Sequence, residues 1–200
     1  MEISLTDFID FLVSSGSPKL TKVRELKKRP EYHPNFDFWK PLRDHITEYH
    51  RNGEGDKRYL DRLLPTVADG KKRTAYPPLI KNYKRFLGKK QIIPLPPLKT
   101  EWKYKTLIVR INPELRLNIG DQVTLIKLYF KADALSKVKV DLILLLLGLT
   151  LGDKLDADAR YAVHDVHHDK FYSVPRPGLE LLPLLYGEAE SFITMWDMLE

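Results

Sequence analysis

The sequence predicts an α+β protein in which a helical N-terminal half is followed by a mixed β-sheet and a closing C-terminal helix. Up to about residue 90, apolar residues recur at helical spacing, whereas from residue 102 they alternate with polar residues, as strands require. The third observation is the segment 122–151, where a run rich in β-branched and aromatic residues leads into a leucine-rich run. We therefore predict a central strand followed by a buried helix, with the rest of the chain packed around them.

The leucine-rich helix is predicted to start after Ser136, whose hydroxyl can cap the first turn. Beyond Asp141 the helix is apolar on nearly every side, which is typical of a helix buried on more than one face. Its apolar residues at helical spacing are Val138, Leu142, Leu145, Leu146 and Leu149. A core position is the preferred prediction. The alternative is that this helix, or the closing helix, contacts a second copy of the chain in a homodimer or another protein.

Three regions are predicted along the chain: a helical region at 1–90, a proline-rich connector at 91–100, and an α+β sheet core with a C-terminal helix at 101–200. In the sheet core, three strands are expected to form a meander, because short turn sequences separate them. The expected strands are 107–111, 115–119 and 122–130. The leucine-rich helix then crosses over to a strand pair at 161–174, which favours a mixed sheet.

Composition limits the classes of protein to which the chain belongs. With 43% hydrophobic and 30% charged residues, the 200-residue chain can bury a substantial core, and the absence of cysteine excludes disulfides and thiolate metal sites. The N-terminal residues carry acids and no early basic cluster, so a cytoplasmic location is expected. The apolar run at 142–151 is too short to span a bilayer, so no membrane partner is expected. The net charge of +6 favours an anionic partner.

The predicted order of a helix, three meandering strands, a buried helix and a strand pair covers residues 76–174. This order resembles the core of the PD-(D/E)XK, or restriction-endonuclease-like, nuclease superfamily. The resemblance implies an acid on or near the second strand and an acid-x-lysine triad on the third strand. Such carboxylates hold a divalent metal, Mg²⁺ or Mn²⁺, beside a lysine that faces the phosphate.

The catalytic candidates that the resemblance implies are Glu114 at the start of the second strand, Asp121 in the following turn, and two lysines of the third strand, Lys127 and Lys131. Two apolar or aromatic residues, Leu125 and Tyr129, stand where the acid of the triad would be. We therefore expect a nuclease-like core that lacks its catalytic acids and takes no cofactor. The alternative is a metal-dependent phosphodiesterase or nuclease whose acids are displaced to Glu114 and Asp121.

The segment 71–90 is the most basic part of the chain, with eight basic residues and no acid. These residues are the predicted nucleic-acid contacts: Lys71, Lys72, Arg73, Lys81, Lys84, Arg85, Lys89 and Lys90. Pro77 and Pro78 are predicted to start the helix that carries most of them. Three aromatic residues interleave with the charges: Tyr76, Tyr83 and Phe86. They could stack on bases, or they could be buried and leave a solvated basic face.

The histidine-rich sequence at 164–169 offers a weaker metal site. Asp165, His167 and His168 carry the side-chain types that bind transition metals, but a site would need them to converge with a further ligand. Polar residues at an exposed hairpin tip are the favoured alternative.

These observations predict a non-catalytic cytoplasmic protein that contacts DNA or RNA, independently of sequence, through a basic helical face. A second basic run at 19–29 adds to this prediction. The alternatives are the metal-dependent nuclease and a protein-interaction module with no nucleic-acid role.

Overall fold

The structure, a computed structural model, describes residues 1–30, 37–53 and 55–199. It is an α+β fold with helices in the first half, two mixed sheets and a C-terminal helix, as the sequence predicts. The first elements are β1 (Glu2–Ser4), α1 (Leu5–Leu12), α2 (Ser17–Lys28), α3 (Lys40–Arg51), a 3₁₀ segment (Lys57–Thr66) and α4 (Gly70–Leu87). The others are β2 (Ile92–Leu95), β3 (Thr100–Tyr104), β4 (Leu107–Ile111), β5 (Leu115–Ile119), β6 (Gln122–Tyr129), α5 (Lys137–Leu151), a 3₁₀ turn (Gly152–Lys154), β7 (Arg160–Asp165), β8 (Lys170–Val174) and α6 (Leu182–Met198).

The larger sheet has five strands in the order β2-β5-β6-β7-β8. Neighbouring strands are antiparallel except β6 and β7, which are parallel because α5 carries the chain across between them. At the end of this parallel pair, Tyr129 lies opposite Asp165, and the Val166 N–H donates to the Tyr129 carbonyl at 2.9 Å. The mixed character of the predicted sheet is therefore confirmed.

The predicted three-strand meander is divided between two sheets. β4 lies at the centre of a three-stranded sheet, with β1 parallel on one side and β3 antiparallel on the other. Both edges of β4 are thus occupied, so the turn at 112–114 leads the chain into the other sheet instead of back along β4. The pairing of 107–111 with 115–119 was wrong for this reason, whereas the pairing of β5 with β6 is as predicted.

The proline-rich segment is extended, as predicted, but part of it belongs to a sheet. Ile92–Leu95 forms β2, the edge strand of the larger sheet, paired with β5. Pro94 can be accommodated there because an edge strand needs hydrogen bonds on one side only.

The five-stranded sheet separates two hydrophobic cores. On one face, α1, α2, α5 and α6 pack together with the three-stranded sheet, while α3, the first 3₁₀ segment and α4 cover the other face. The helices of the N-terminal region therefore contribute to both cores. In the described ranges, no helix combines the length and the apolar character that crossing a bilayer would require.

α4 begins seven residues before the predicted start at Pro77. The Asp69 carboxylate accepts hydrogen bonds from the backbone N–H groups of Lys71 and Lys72, at 2.8 and 3.1 Å, and so caps the first turn. Both prolines lie inside the helix on its exposed side, where they leave two backbone carbonyls without helical donors. The cap and the burial of the apolar face offset this loss.

α5 is the buried helix that the sequence predicts. The Ser136 hydroxyl accepts from the Lys139 N–H at 3.3 Å, and Leu142, Leu145 and Leu146 are at most 1% exposed. All residues from 142 to 147 are buried, which favours the core role over a contact with a second copy or another protein.

Candidate functional site

Two regions gather the residues that the sequence singles out: the carboxyl ends of the parallel strands β6 and β7, and the exposed side of α4. The ends of parallel strands around a crossover are common places for ligands. At this edge, Tyr129 and Asp165 are neighbours on one face of the sheet, and Lys127 lies on the same face two residues before Tyr129.

Glu114 and Lys127 form a mostly buried ion pair at this edge. The side chains are 8% and 13% exposed, respectively. One Glu114 oxygen accepts from the Lys127 ammonium, and the other accepts from the Leu128 backbone N–H at 2.7 Å. Both carboxylate oxygens therefore have donors, so the arrangement fixes the start of β5 against β6.

The other two residues implied by the nuclease resemblance lie elsewhere. Lys131 pairs with Asp10 of α1, which also accepts from Lys139 at 3.1 Å. Burial alone would raise the pKa of Asp10, but the hydrogen bonds and charges of these two lysines hold it below its usual value. Asp121 has a left-handed φ of 65° in the β5–β6 turn, at the opposite end of β6. At about 3.3 Å per strand residue, it is roughly 20 Å from Lys127.

The positions of the missing acids are filled by core residues. Leu125 is fully buried, and Tyr129 is 4% exposed. Burial raises the pKa of the Tyr129 hydroxyl, which has no hydrogen-bond partner among the described residues. The structure thus brings Glu114 to Lys127 but brings neither Asp121 nor Lys131 to them.

Asp165 holds His168 at the tip of the β7–β8 hairpin. The Asp165 carboxylate is fully buried and accepts from the His168 backbone N–H at 3.1 Å and from its ring Nδ1 at 2.9 Å. The neighbouring His167 has a buried Nδ1 that makes no hydrogen bond within the described part of the chain. Over residues 1–30, 37–53 and 55–199, no three histidine, aspartate or glutamate side chains are grouped so that they could hold a metal.

Half of the six cations in the second basic run are paired with acids of the neighbouring helices. Lys19 pairs with Glu188 of α6, Lys22 lies 3.8 Å from both Asp7 and Asp10, and Arg29 donates to Asp7 at 2.9 Å. In addition, the ammonium group of residue 27 donates to the backbone carbonyls of residues 196 and 199. These cations dock α2 against α1 and α6, so little of their charge is left for a partner.

The basic residues of segment 71–90, which we call the α4 surface, behave differently. Lys84 pairs with Asp61, and Arg85 donates to Asp169 at 2.5 Å. The other six form no ion pair with any residue that the structure describes: Lys71, Lys72, Arg73, Lys81, Lys89 and Lys90. Five of these six are exposed, Lys72 being the exception. The α4 surface therefore keeps most of its positive charge.

The aromatic residues of α4 belong to the core. Tyr76 and Tyr83 are fully buried and Phe86 is 6% exposed, because their spacing turns them all towards the sheet. Tyr83 is also engaged at its hydroxyl, 2.6 Å from the ring nitrogen of His50. Base stacking on these three residues is excluded, and the alternative of buried aromatics beside a basic face is correct.

α4 and the β7–β8 hairpin form one continuous surface. The Asn82 side-chain amide donates to the carbonyls of Val166 and His167, at 3.1 and 3.0 Å, and Arg85 reaches Asp169 in the same turn. No local pattern in the sequence indicates these contacts, because the partners are more than 80 residues apart.

The comparisons with known proteins found no family model, no curated protein and no solved structure that matches this chain.

Proposed function

We propose that this protein binds DNA or RNA through the α4 surface, independently of sequence and without cleaving it. The observation that carries the proposal is the contrast between the two basic runs. Three of the six cations at 19–29 pair with acids, whereas only two of the eight cations of the α4 surface do so in the described ranges. Unpaired cations on one exposed surface are the arrangement that neutralises phosphates and releases their counterions.

The non-catalytic part of the proposal is supported by the residues at the β6–β7 edge. Each oxygen of the Glu114 carboxylate already accepts from a donor, Lys127 or the Leu128 N–H, and Asp121 lies at the opposite end of β6, too distant to share a metal with it. The resemblance to a nuclease core stays part of the proposal. In its support, β5 and β6 are antiparallel and α5 then leads to the parallel strand β7, whereas β4, the first strand of the predicted order, lies in the other sheet. The cytoplasmic location expected from the sequence also stays a prediction.

Purified protein is expected to leave plasmid, linear duplex and single-stranded substrates uncut in the presence of Mg²⁺ or Mn²⁺. The reason is that Glu114 is engaged by Lys127 and Leu128 and that Asp121 lies at the opposite end of β6, so these two acids cannot hold a metal together. The measurement is gel electrophoresis after incubation with each metal. Metal-dependent cleavage that disappears in Glu114→Ala or Asp121→Ala would instead establish the alternative of a nuclease with displaced acids.

Binding is expected to be electrostatic, with an affinity for duplex DNA that falls steeply as salt rises. Each neutralised phosphate contributes about −0.9 to the slope of log affinity against log salt. Replacing Lys71, Lys81 and Lys89 by glutamine should therefore flatten the slope by about 2.7 if all three contact phosphates. Because these side chains are exposed and unpaired among the described residues, the fold should be unaffected. Fluorescence anisotropy at several salt concentrations measures the slope.

A second triple variant provides the matched control for this experiment. Lys28, Lys99 and Lys154 are exposed, form no ion pair with a described residue and lie outside the α4 surface. Their replacement by glutamine removes the same charge but should leave the slope close to that of the wild type. If both variants flattened the salt slope equally, binding would depend on the net charge and not on the α4 surface. If the anisotropy signal of all three proteins did not depend on salt, the proposed function would be overturned.

A further inference from the structure

Phe171 is an exposed aromatic residue at the side of the α4 surface. It lies in β8 opposite His164, on the sheet face that α4 covers, and its side chain is 40% exposed. Its ring centroid is 5.0 Å from that of Phe86 and 5.9 Å from that of His164. The ring is therefore held on its inner side by two buried rings, while its outer side is open.

Cations contact the residues that neighbour this ring. The Lys90 ammonium lies 4.2 Å from the centroid of the Phe86 ring, which in turn packs against Phe171. Arg85 is held by Asp169 in the turn that leads into β8. On the other side, Arg160 donates through Nε to the hydroxyl of Ser173, two residues along β8 on the same face as Phe171. Asp169 is the acid of this turn, and Arg85 neutralises it.

We propose that an unpaired base of a single-stranded nucleic acid stacks on Phe171 while the flanking phosphates contact the α4 surface. This proposal rests on the proposed function and names its ligand class. A fixed aromatic ring beside a row of cations is the combination that binds single strands without sequence preference, because every base has a π-face. The bases of a duplex are already stacked on each other, so a duplex can use the cations but not the ring.

Tyr186 is a second exposed aromatic ring, which we do not expect to form such a site. Its side chain is 41% exposed and contacts the rings of Trp102 and Tyr104, so it matches Phe171 in exposure and packing. Lys105, which lies over the neighbouring Tyr104 ring, is paired with Glu190, whereas Lys90 near Phe171 has no acidic partner among the described residues. Tyr186 is therefore a matched control on the other side of the molecule.

The test compares three probes of equal length: oligothymidylate, an abasic oligomer with the same phosphates but no bases, and a duplex. Phe171→Leu keeps an apolar side chain against Phe86 and His164 but removes the ring. Its affinity for oligothymidylate should fall about fivefold or more, while its affinities for the abasic oligomer and the duplex stay within twofold of the wild type. Tyr186→Leu should bind all three probes like the wild type.

A second variant gives a direct signal from the stacked base. Phe171→Trp should bind oligothymidylate at least as tightly as the wild type, and the added tryptophan fluorescence should be quenched by that probe but not by the abasic oligomer. Thermal unfolding of each variant separates loss of the ring from loss of the fold.

The outcomes distinguish this proposal from the proposed function. If all probes bind with the same steep salt dependence and Phe171→Leu has no effect on any of them, the stacking site is overturned and the electrostatic function stands. If no probe binds in a salt-dependent manner, both are overturned. An equal loss for the abasic oligomer and oligothymidylate in Phe171→Leu would also overturn the stacking site, because the ring would then act on the charged surface and not on a base.

Discussion

Leu145→Ala is expected to lower the free energy of unfolding by about 2–5 kcal/mol. The Leu145 side chain is 1% exposed in the middle of α5, which packs between the five-stranded sheet and α1 and contacts the three-stranded sheet. Removing three carbon atoms there loses the favourable free energy of transferring them from water into the core. It also leaves a cavity that the surrounding strands and helices cannot close. Denaturant titration followed by circular dichroism measures the change.

Leu149→Ala, on the same helix, provides the control. Leu149 is 40% exposed, so its truncation removes little buried surface and should cost less than about 1 kcal/mol. A similar small cost for Leu145→Ala would mean that α5 is peripheral and that the described packing around it is incorrect.

Acidification from pH 7 to pH 4 is expected to destabilise the fold by several kcal/mol. Two histidines are buried on the α4 side of the sheet: His50, 6% exposed, and His164, 1% exposed. Burial lowers the pKa of each from 6.5 to about 4; for His164 the nearby Asp169 and Asp165 oppose this only in part. Between those pH values the unfolded chain binds protons that the folded chain does not, so stability is complete above about 6.5 and falls as pH drops towards 4.

Each histidine contributes at most about 3 kcal/mol to this loss, if its pKa differs by about 2.5 between the two states. The paired carboxylates Asp7 and Asp10, whose pKa values are lowered, lose their contributions only below about pH 4, so the two effects occupy different pH windows. Unfolding free energies measured by urea titration at half-unit steps from pH 7 to pH 4 would show the slope.

His164→Leu should remove about half of this pH dependence. The variant should also be at least as stable as the wild type at pH 7, since neither ring nitrogen of His164 has a hydrogen-bond partner in the described residues. A wild-type stability that stays constant from pH 6.5 to pH 4 would contradict the buried, neutral state of both histidines.

The parts of the fold that depend on local chemistry could be predicted from the sequence. Ser136 and the leucines after it define α5, and the turn at 120–121 defines the β5–β6 hairpin. The start of α4 was missed because two prolines usually begin a helix, and a cap at Asp69 outweighed that preference here. The division of the meander was missed because β1, with three residues, is too short for a hydrophobic period to reveal it.

The positive charge of the candidate site could be predicted from the sequence, but the ion pairs that its cations form could not. Segment 71–90 is basic in any fold, and its buried aromatic face follows from helical spacing. Which cations stay unpaired depends on distant residues, such as Asp61 for Lys84 and Glu188 for Lys19. Phe171 had no recognisable signal, because its exposure beside Phe86 depends on how α4 docks against β8.

The short strand β1 also affects the order in which the molecule can assemble. Its pairing with β4 joins parts of the chain that are far apart: the Met1 amino group bonds the Thr106 carbonyl across 105 residues. Closing so long a loop is slow, so the β3–β4 and β5–β6 hairpins have the opportunity to form first. Until β1 pairs with β4, one edge of β4 has free N–H and carbonyl groups that can form hydrogen bonds with another chain. We therefore expect the pairing of these three residues with β4 to form late, and the chain to be most prone to aggregation before it forms.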